Sequence, residues 1–200
     1  MLILASQSPR RRELLGLITR DFLVRPTGCD ETLDCADPAE YALQIACRKC
    51  AAALAEAGPE DAVIAADTVV YLDGLLLGKP RDPAEAAAML SRLSGRTHTV
   101  CTGVAVAFRG GTRNLCQQTR VTFYDLSRGL IDWYVSTGEP MDKSGGRIWY
   151  EWQDKAGGYG IQTAFGAKAI KCIDGDYYNV VGLPVSSLYR LLIEMGIIEI

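Results

Sequence analysis

The chain has 200 residues, 48% apolar and 22% charged, with a formal net charge of −3. That balance fits one globular domain with a sizeable core and excludes a disordered chain. The slight acidity disfavours broad nucleic-acid binding, which needs a basic face, but not a small phosphorylated ligand held by a local basic cluster. No apolar run is long enough to span a bilayer, and the N-terminus lacks a basic segment followed by an apolar one. A cytoplasmic protein without a membrane partner is expected.

In chain order, Leu2 to Ala5 read as a buried strand. Ser8 then stands at a helix N-cap, with Pro9 at the first helical position. Arg10, Arg11 and Arg12 fill the first turn, where the helix dipole disfavours cations. That placement suggests an anion. Backbone N–H groups, the hydroxyls of Ser6 and Ser8, and guanidinium forks make a phosphate cradle. A solvated basic turn is an equal alternative. Asp30 and Glu31 follow in a turn-like segment. With a carboxylate from elsewhere they can hold Mg²⁺ through oxygen, and a solvated acidic loop explains them equally well.

Asp37-Pro38-Ala39-Glu40 has capping-box spacing and starts a helix to about residue 57. Cys47 and Cys50 share a face of that helix. No second pair supports a zinc site, so buried free thiols are expected. Lys49, beside Arg48, reads on its own as a surface lysine.

Residues 62–70 read as a buried strand. Asp67 stands in it after a run of apolar residues, where a carboxylate is costly unless hydrogen-bonded, metal-bound or functional. Taken alone, a strand-end Asp accepting backbone hydrogen bonds is the simpler account. Thr68 follows it and can orient it or touch a ligand. Asp73-Gly74 marks a tight hairpin turn. Gly78-Lys79-Pro80 is a rigid exit without Walker A spacing, and Lys79 alone reads as a surface residue. Asp82-Pro83-Ala84-Glu85 repeats the capping device, with Ala86, Met89, Leu90 and Leu93 on one helical face.

Residues 98–108 and 113–125 alternate as strands around Arg109-Gly110-Gly111. His98 is the single histidine, so a Ser-His-Asp triad is open only through it. A helix is expected over about 127–137. In residues 154–162, three glycines accompany Lys155 and Gln162. Glycine lets backbone approach a ligand, and a buried amide that both donates and accepts suits a base edge. A binding loop is favoured there over a plain surface loop. Strands at about 168–173 and 177–181 flank Asp174-Gly175, and a last helix covers about 184–195. The interleaving predicts an α/β fold: a mixed central sheet with flanking helices.

The ordered set LASQSPRR, Asp30-Glu31, AADTVV, GKP, LSGRTHTV with TGVAV, DKAGGYGIQ and DGDYYNVVGLPV resembles the Maf family of nucleoside triphosphate pyrophosphatases. Each piece is weak singly; the set in order is specific and covers nearly the whole chain. The resemblance implies one domain over 1–200 with two lobes around a cleft, related to inosine triphosphate pyrophosphatases. It implies cleavage between the α- and β-phosphates, giving a monophosphate and pyrophosphate. Arg10, Thr68 and Gln162 resemble the dTTP/UTP subgroup pattern rather than the 7-methyl-GTP one. By position, Asp67 is implied as the base that activates water and, with Glu31, as a metal ligand. Ser8, Arg11, Lys49, Lys79 and Lys155 are implied at the phosphates. The implied cofactor is Mg²⁺, with Mn²⁺ second, and the implied partners are a nucleoside triphosphate and a second copy of the chain. A catalytically weak nucleotide-binding regulator of septum formation is the alternative.

One feature departs from the family. Asp142-Lys143-Ser144-Gly145-Gly146 is echoed at Asp154-Lys155-Ala156-Gly157-Gly158. About a dozen residues near 143–154 read as inserted, and Lys155 is favoured over Lys143 because its distance to Gln162 is fixed. Thr163 stands where the family usually has Gly.

Overall fold

A computed structural model of the chain describes residues 1–140, 148–150 and 155–199. Asp142, Lys143, Asp154 and most of the expected insertion lie outside the described residues. The strands are β1 Leu2–Leu4, β2 Phe22–Val24, β3 Ala62–Leu72, β4 Leu75–Leu77, β5 Thr97–Phe108, β6 Gly111–Phe123, β7 Gly138–Pro140, β8 Ile148–Tyr150 and β9 Ile170–Asp174. The helices are α1 Pro9–Leu15, α2 Pro38–Leu54, α3 Pro83–Leu93, α4 Arg128–Ser136, α5 Ala164–Ala169, α6 Tyr177–Val181 and α7 Val185–Glu194. A 3₁₀ turn covers Ala156–Gly158.

Seven strands form one sheet in the order β2-β1-β3-β5-β6-β9, with β4 paired to β3. β1 pairs in parallel with β2 and β3, whereas β3–β4 and β6–β9 are antiparallel, so the sheet is mixed. β7 and β8 form a separate antiparallel pair, Gly138 opposite Tyr150. The expected turns are present: Asp73-Gly74 has φ 47° and 84°, and Arg109-Gly110 has 46° and 77°. Two successive positive φ values give the turn whose twist suits a hairpin.

The chain divides into two compact units, and the division falls within β3, β5 and β6. The first comprises Met1–Thr68, Cys101–Thr119 and Asp176–Ile200. Strand alternation sorts its core into two layers. Leu2, Leu4, Ala62, Ile64, Ala66, Val104 and Val106 pack with Leu14, Leu15 and the buried leucines of α7. Ile3, Ala5, Val63, Ala65, Ala105 and Ala107 pack with Ala46, Cys50 and Ala53 of α2. Both faces are covered, which is why these strands read as unbroken apolar runs. The α2 face is built of small residues. At Gly103 even a Cβ would lie 2.5 Å from the Ala42 and Leu43 backbone, so α2 can approach β5 only over glycine.

The second unit comprises Val69–Val100 and Arg120–Gly175. Its core is aromatic: Tyr134 stacks on Phe165 at 4.1 Å, and Phe123 meets Tyr159 edge-on at 4.9 Å. Here α3 packs against α4 and the 3₁₀ turn. Among the described residues no helix is long and apolar enough to cross a membrane.

Three local expectations need correction. Residues 177–181 form helix α6, not a strand. Asp176 accepts from the Tyr178 N–H and caps it, and Gly182 at φ 130° closes it, so capping overrides the β preference of Tyr-Tyr-Asn-Val-Val. Helix α5 precedes β9, with the Thr163 hydroxyl accepting from the Gly166 N–H as its N-cap. The capping boxes are half-formed. Asp37 and Asp82 cap α2 and α3, but Glu40 pairs with Gln44 and Glu85 takes the N–H and guanidinium of Arg81.

Candidate active site

In the first unit, β1 delivers Ser6, and Ser8 accepts from the Arg11 N–H at 3.4 Å to cap α1. The three arginines part company. Arg12 is exposed. Arg10 donates to the Val181 carbonyl at 3.4 Å. Arg11 donates through Nε to the Gly182 carbonyl at 2.9 Å, through Nη1 to Ser6 Oγ at 3.4 Å, and through Nη2 to Thr68 Oγ1 at 3.0 Å. Burial pushes its pKa down, and the nearby Asp67 carboxylate opposes that shift. The basic turn is thus a fixed fork as much as an open cradle.

Lys49 is buried, not a surface residue. It belongs to the stripe Ala42, Ile45, Ala46, Lys49, Cys50 and Ala53, which helical spacing turns toward the sheet. Its ammonium donates to Asp67 Oδ1 at 2.8 Å and pairs with Glu31 Oε1 at 3.1 Å. A helix, a strand and a loop therefore meet at one cation. The loop is held by α2: Arg48 donates to the Asp30 and Thr32 carbonyls, and the Tyr41 hydroxyl donates to the Glu31 carbonyl. The acidic pair is split by this geometry. Asp30 accepts from the Thr32 N–H at 2.8 Å, which holds its pKa down, and only Glu31 reaches the cluster.

Among the described residues no group of three or more His, Cys, Asp or Glu side chains is gathered around a common point. The two carboxylates on Lys49 are hard oxygen donors already converging on positive charge. They fit a divalent ion of the Mg²⁺ type, which takes one or two carboxylates and fills its shell with water and phosphate oxygens. Of the two thiols expected to be buried, Cys50 is and Cys47 is only partly so. Cys50 donates to the Val63 carbonyl, and burial pushes its pKa up to about 11. His98 cannot serve a Ser-His-Asp triad. Its Nε2 lies 2.6 Å from the Tyr159 hydroxyl, and its buried Nδ1 has no hydrogen-bond partner.

In the second unit, two motifs far apart in sequence meet. The Gly157 N–H donates to the Gly78 carbonyl at 3.0 Å, joining the 3₁₀ turn to the Gly78-Lys79-Pro80 exit. Gly157 and Gly158 have φ 69° and 73°, and a Cβ on Gly157 would lie 3.0 Å from Val70. Only glycine fits both the conformation and the contact. Lys155 is buried at 9% exposure, whereas Lys79 is exposed. Gln162 is also exposed, contrary to the buried amide expected, because it sits in the turn before the Thr163 cap.

Sequence reasoning missed Thr102, which bonds Thr68, and the buried Asn179 and Thr119 linked in turn behind it. Thr102 had a weak signal, a polar side chain in the mostly apolar half of β5, whereas Thr119 had none, because β6 is polar along most of its length. Asn179 was hidden by the mistaken strand.

Residues 1–195 match the family model described as Maf-like protein. Among known proteins, the chain is 45% identical to a dTTP/UTP pyrophosphatase of Pyrococcus abyssi, over 96% of this chain and 95% of the relative. It is 47% identical to the Pyrococcus furiosus protein of that name, over 98% and 95%. It is 48% identical to the Symbiobacterium thermophilum one, over 98% and 94%. The Ham1 protein of Staphylococcus aureus shares the fold with a TM-score of 0.51 at 14% identity, covering 97% of this chain and 98% of that one. From Leu2 to the end of α7, the order of motifs and the match along the chain agree: this protein belongs to the Maf family.

Proposed function

We propose that the protein is a nucleoside triphosphate pyrophosphatase acting on dTTP and UTP, releasing the monophosphate and pyrophosphate. The observation that carries this reading is the Lys49 ammonium held between Asp67 and Glu31, beside the Arg11–Thr68 pair. Relatives carrying the dTTP/UTP pyrophosphatase name at 43–48% identity support the substrate class.

In this reading Asp67 accepts the proton of a water whose oxygen attacks the α-phosphorus. The bond to the bridging oxygen breaks and pyrophosphate leaves with the electron pair. Lys49 orients the Asp67 carboxylate and, with Arg11, offsets phosphate charge. A divalent ion bound by Glu31 and Asp67, taken here as Mg²⁺, would supply further charge neutralisation at the phosphates. Ser8, Lys79 and Lys155 are assigned to the phosphates, and Arg10, Thr68 and Gln162 to base selection, by their positions in the family motifs.

The test is pyrophosphate release from dTTP, UTP, CTP, ATP, GTP and 7-methyl-GTP, with and without Mg²⁺. The expected outcome is metal-dependent turnover with dTTP or UTP fastest. Faster turnover of a purine nucleotide overturns the substrate assignment. Tight binding without turnover of any of them moves the protein to the regulator reading.

A further inference from the structure

The polar network behind Thr68 settles the direction of a hydrogen bond that geometry alone leaves open. Thr102, on β5, is wholly buried. Its hydroxyl donates to the Asn179 carbonyl at 3.1 Å, and a hydroxyl has one proton to give. Thr102 Oγ1 also lies 3.0 Å from Thr68 Oγ1. Since the carbonyl can only accept, the Thr102 proton is committed, and Thr68 must donate its own proton to Thr102. Arg11 Nη2 donates to the same Thr68 oxygen at 3.0 Å. Thr68 therefore has no proton left for a ligand.

The acceptor that fixes this order is itself fixed. The N–H groups of Gly182 and Leu183 both go to the Tyr178 carbonyl, so α6 ends with the Asn179 carbonyl directed to Thr102. The Asn179 amide donates to Thr119 Oγ1 at 2.9 Å. Thr119 in turn accepts from the Asp176 N–H at 3.0 Å and donates to the Asp176 carbonyl at 3.2 Å. The segment carrying the carbonyl is pinned at both ends.

We propose that Thr102 is a positioning residue: by taking the Thr68 proton it makes Thr68 an obligate acceptor, so that the site selects a nucleotide offering a neutral hydrogen-bond donor. Two groups of a thymine or uracil nucleotide have that chemistry, the imide N3–H of the base and the 3′-hydroxyl of the sugar. This rests on the reading of Thr68 as substrate-facing. A nucleotide presenting a lone pair there, as cytosine N3 does, leaves two acceptors face to face and both unpaired.

The experiment compares dTTP with N3-methyl-dTTP and with 2′,3′-dideoxythymidine triphosphate, in wild type and in Thr102→Val. Valine keeps the shape and frees the Thr68 proton. Wild type is expected to lose roughly 10–100-fold in kcat/KM on the one analogue that lacks the donor read by Thr68. That analogue identifies the source. Thr102→Val is expected to lose less than about threefold on it, with the change in KM and not kcat, and Thr102→Ser restores the discrimination. Wild type that accepts both analogues overturns the proposal. So does Thr102→Val that discriminates as wild type does, the result expected if the added methyl merely clashes. Should Thr102→Val fail to fold, Thr68→Val must lose the same discrimination, and retention overturns the proposal. Calorimetric binding of α,β-imido-dUTP and its N3-methyl and 3′-deoxy derivatives gives the same comparison without turnover. A protein that binds but does not cleave thus separates failure of the hydrolase reading from failure of this one.

Discussion

The two units hold their polar groups by opposite means. In the first, buried cations are held by specific polar partners: Lys49 lies between the carboxylates of Asp67 and Glu31, and Arg11 is satisfied by two hydroxyls and a carbonyl. In the second, a lysine-bearing turn is held by shape. Gly157 lies on Val70, Gly158 on Pro80, and Tyr159 is set into an aromatic cluster. The contrast teaches what each unit will tolerate. The Lys49 cluster of the first should respond to loss of a charge; the glycine turn of the second should respond to small changes of shape as well.

The sharpest way to break this comparison is Asp67→Asn. The amide oxygen can still accept from Lys49, and Glu31 remains as the ammonium's ion partner, so the fold should persist with a nearly unchanged Tm. The lost general base should lower kcat by about 10²–10⁴-fold. Near-normal kcat in steady-state assays would remove Asp67 from the chemistry and leave the Lys49 cluster as a structural ion triad.

The next effect tests the second unit. Lys155→Ala removes an almost buried ammonium beside the glycine turn. A charge-assisted hydrogen bond to phosphate is worth about 1.5–3 kcal/mol, or roughly 10–100-fold in rate when felt in the transition state. Lys143→Ala should cost less. Assays of both variants at saturating Mg²⁺ make the comparison, and a more damaging Lys143→Ala would assign the phosphate contact to the first copy of the repeated segment.

The legibility of the chain follows the same division. Strands β1 and β3 and the second half of β5 were readable because they are buried on both faces, whereas the short, half-exposed β2 went unread. The α2 and α3 starts were readable because Asp-Pro fixes a cap and the first helical residue. The Asp73-Gly74 and Arg109-Gly110 turns were readable for their residue chemistry. Lys49 was misread in isolation, although its spacing from Ile45, Ala46 and Cys50 places it on the apolar stripe. Helix α6 was not readable, because its aromatic and β-branched residues favour a strand and only the Asp176 cap and Gly182 decide otherwise. The Arg11–Thr68–Thr102 network joins residues from three separated segments, and no local pattern announces such a contact.

A smaller effect sharpens the account of the aromatic core. Burial pushes the His98 pKa down to about 3, far below the ordinary value near 6.5. The sign follows. Above pH 6.5 the ring is neutral in folded and unfolded chains and contributes nothing to the pH dependence. As pH falls below 6.5 the unfolded chain takes up a proton that the folded chain refuses, so stability declines by about 1.4 kcal/mol per pH unit toward pH 3. Urea unfolding of wild type and His98→Gln between pH 6.5 and 5 isolates this term from most carboxylates. Wild type should show the steeper decline, by close to one proton. Equal slopes would mean that His98 is charged in the folded protein and donates to the neutral Tyr159 hydroxyl in a charge-assisted bond.

The smallest effect compares the two acidic caps. Asp37 accepts from the Glu40 N–H and Asp82 from the Glu85 N–H, both at 2.7 Å. Either Asp→Ala change strands one N–H and should cost about 1 kcal/mol, with Asn recovering most of it. In a chain of this length that is a fall in Tm of roughly 2–4 °C. The consequences for activity should differ. Helix α2 carries Lys49 in its C-terminal half, about three turns from Asp37 and fixed by two carboxylates, so Asp37→Ala should leave KM and kcat nearly unchanged. Helix α3 packs against the 3₁₀ turn through its first residues, where Ala86 lies 3.8 Å from a Cβ built on Gly158. Fraying of its start loosens one wall of the turn, which the Gly157 N–H bond to Gly78 anchors on the other side. Asp82→Ala should therefore raise KM a few-fold at equal loss of stability. Matched melting curves and steady-state kinetics on the two variants check this, and equal KM values would show that the glycine turn does not depend on the start of α3.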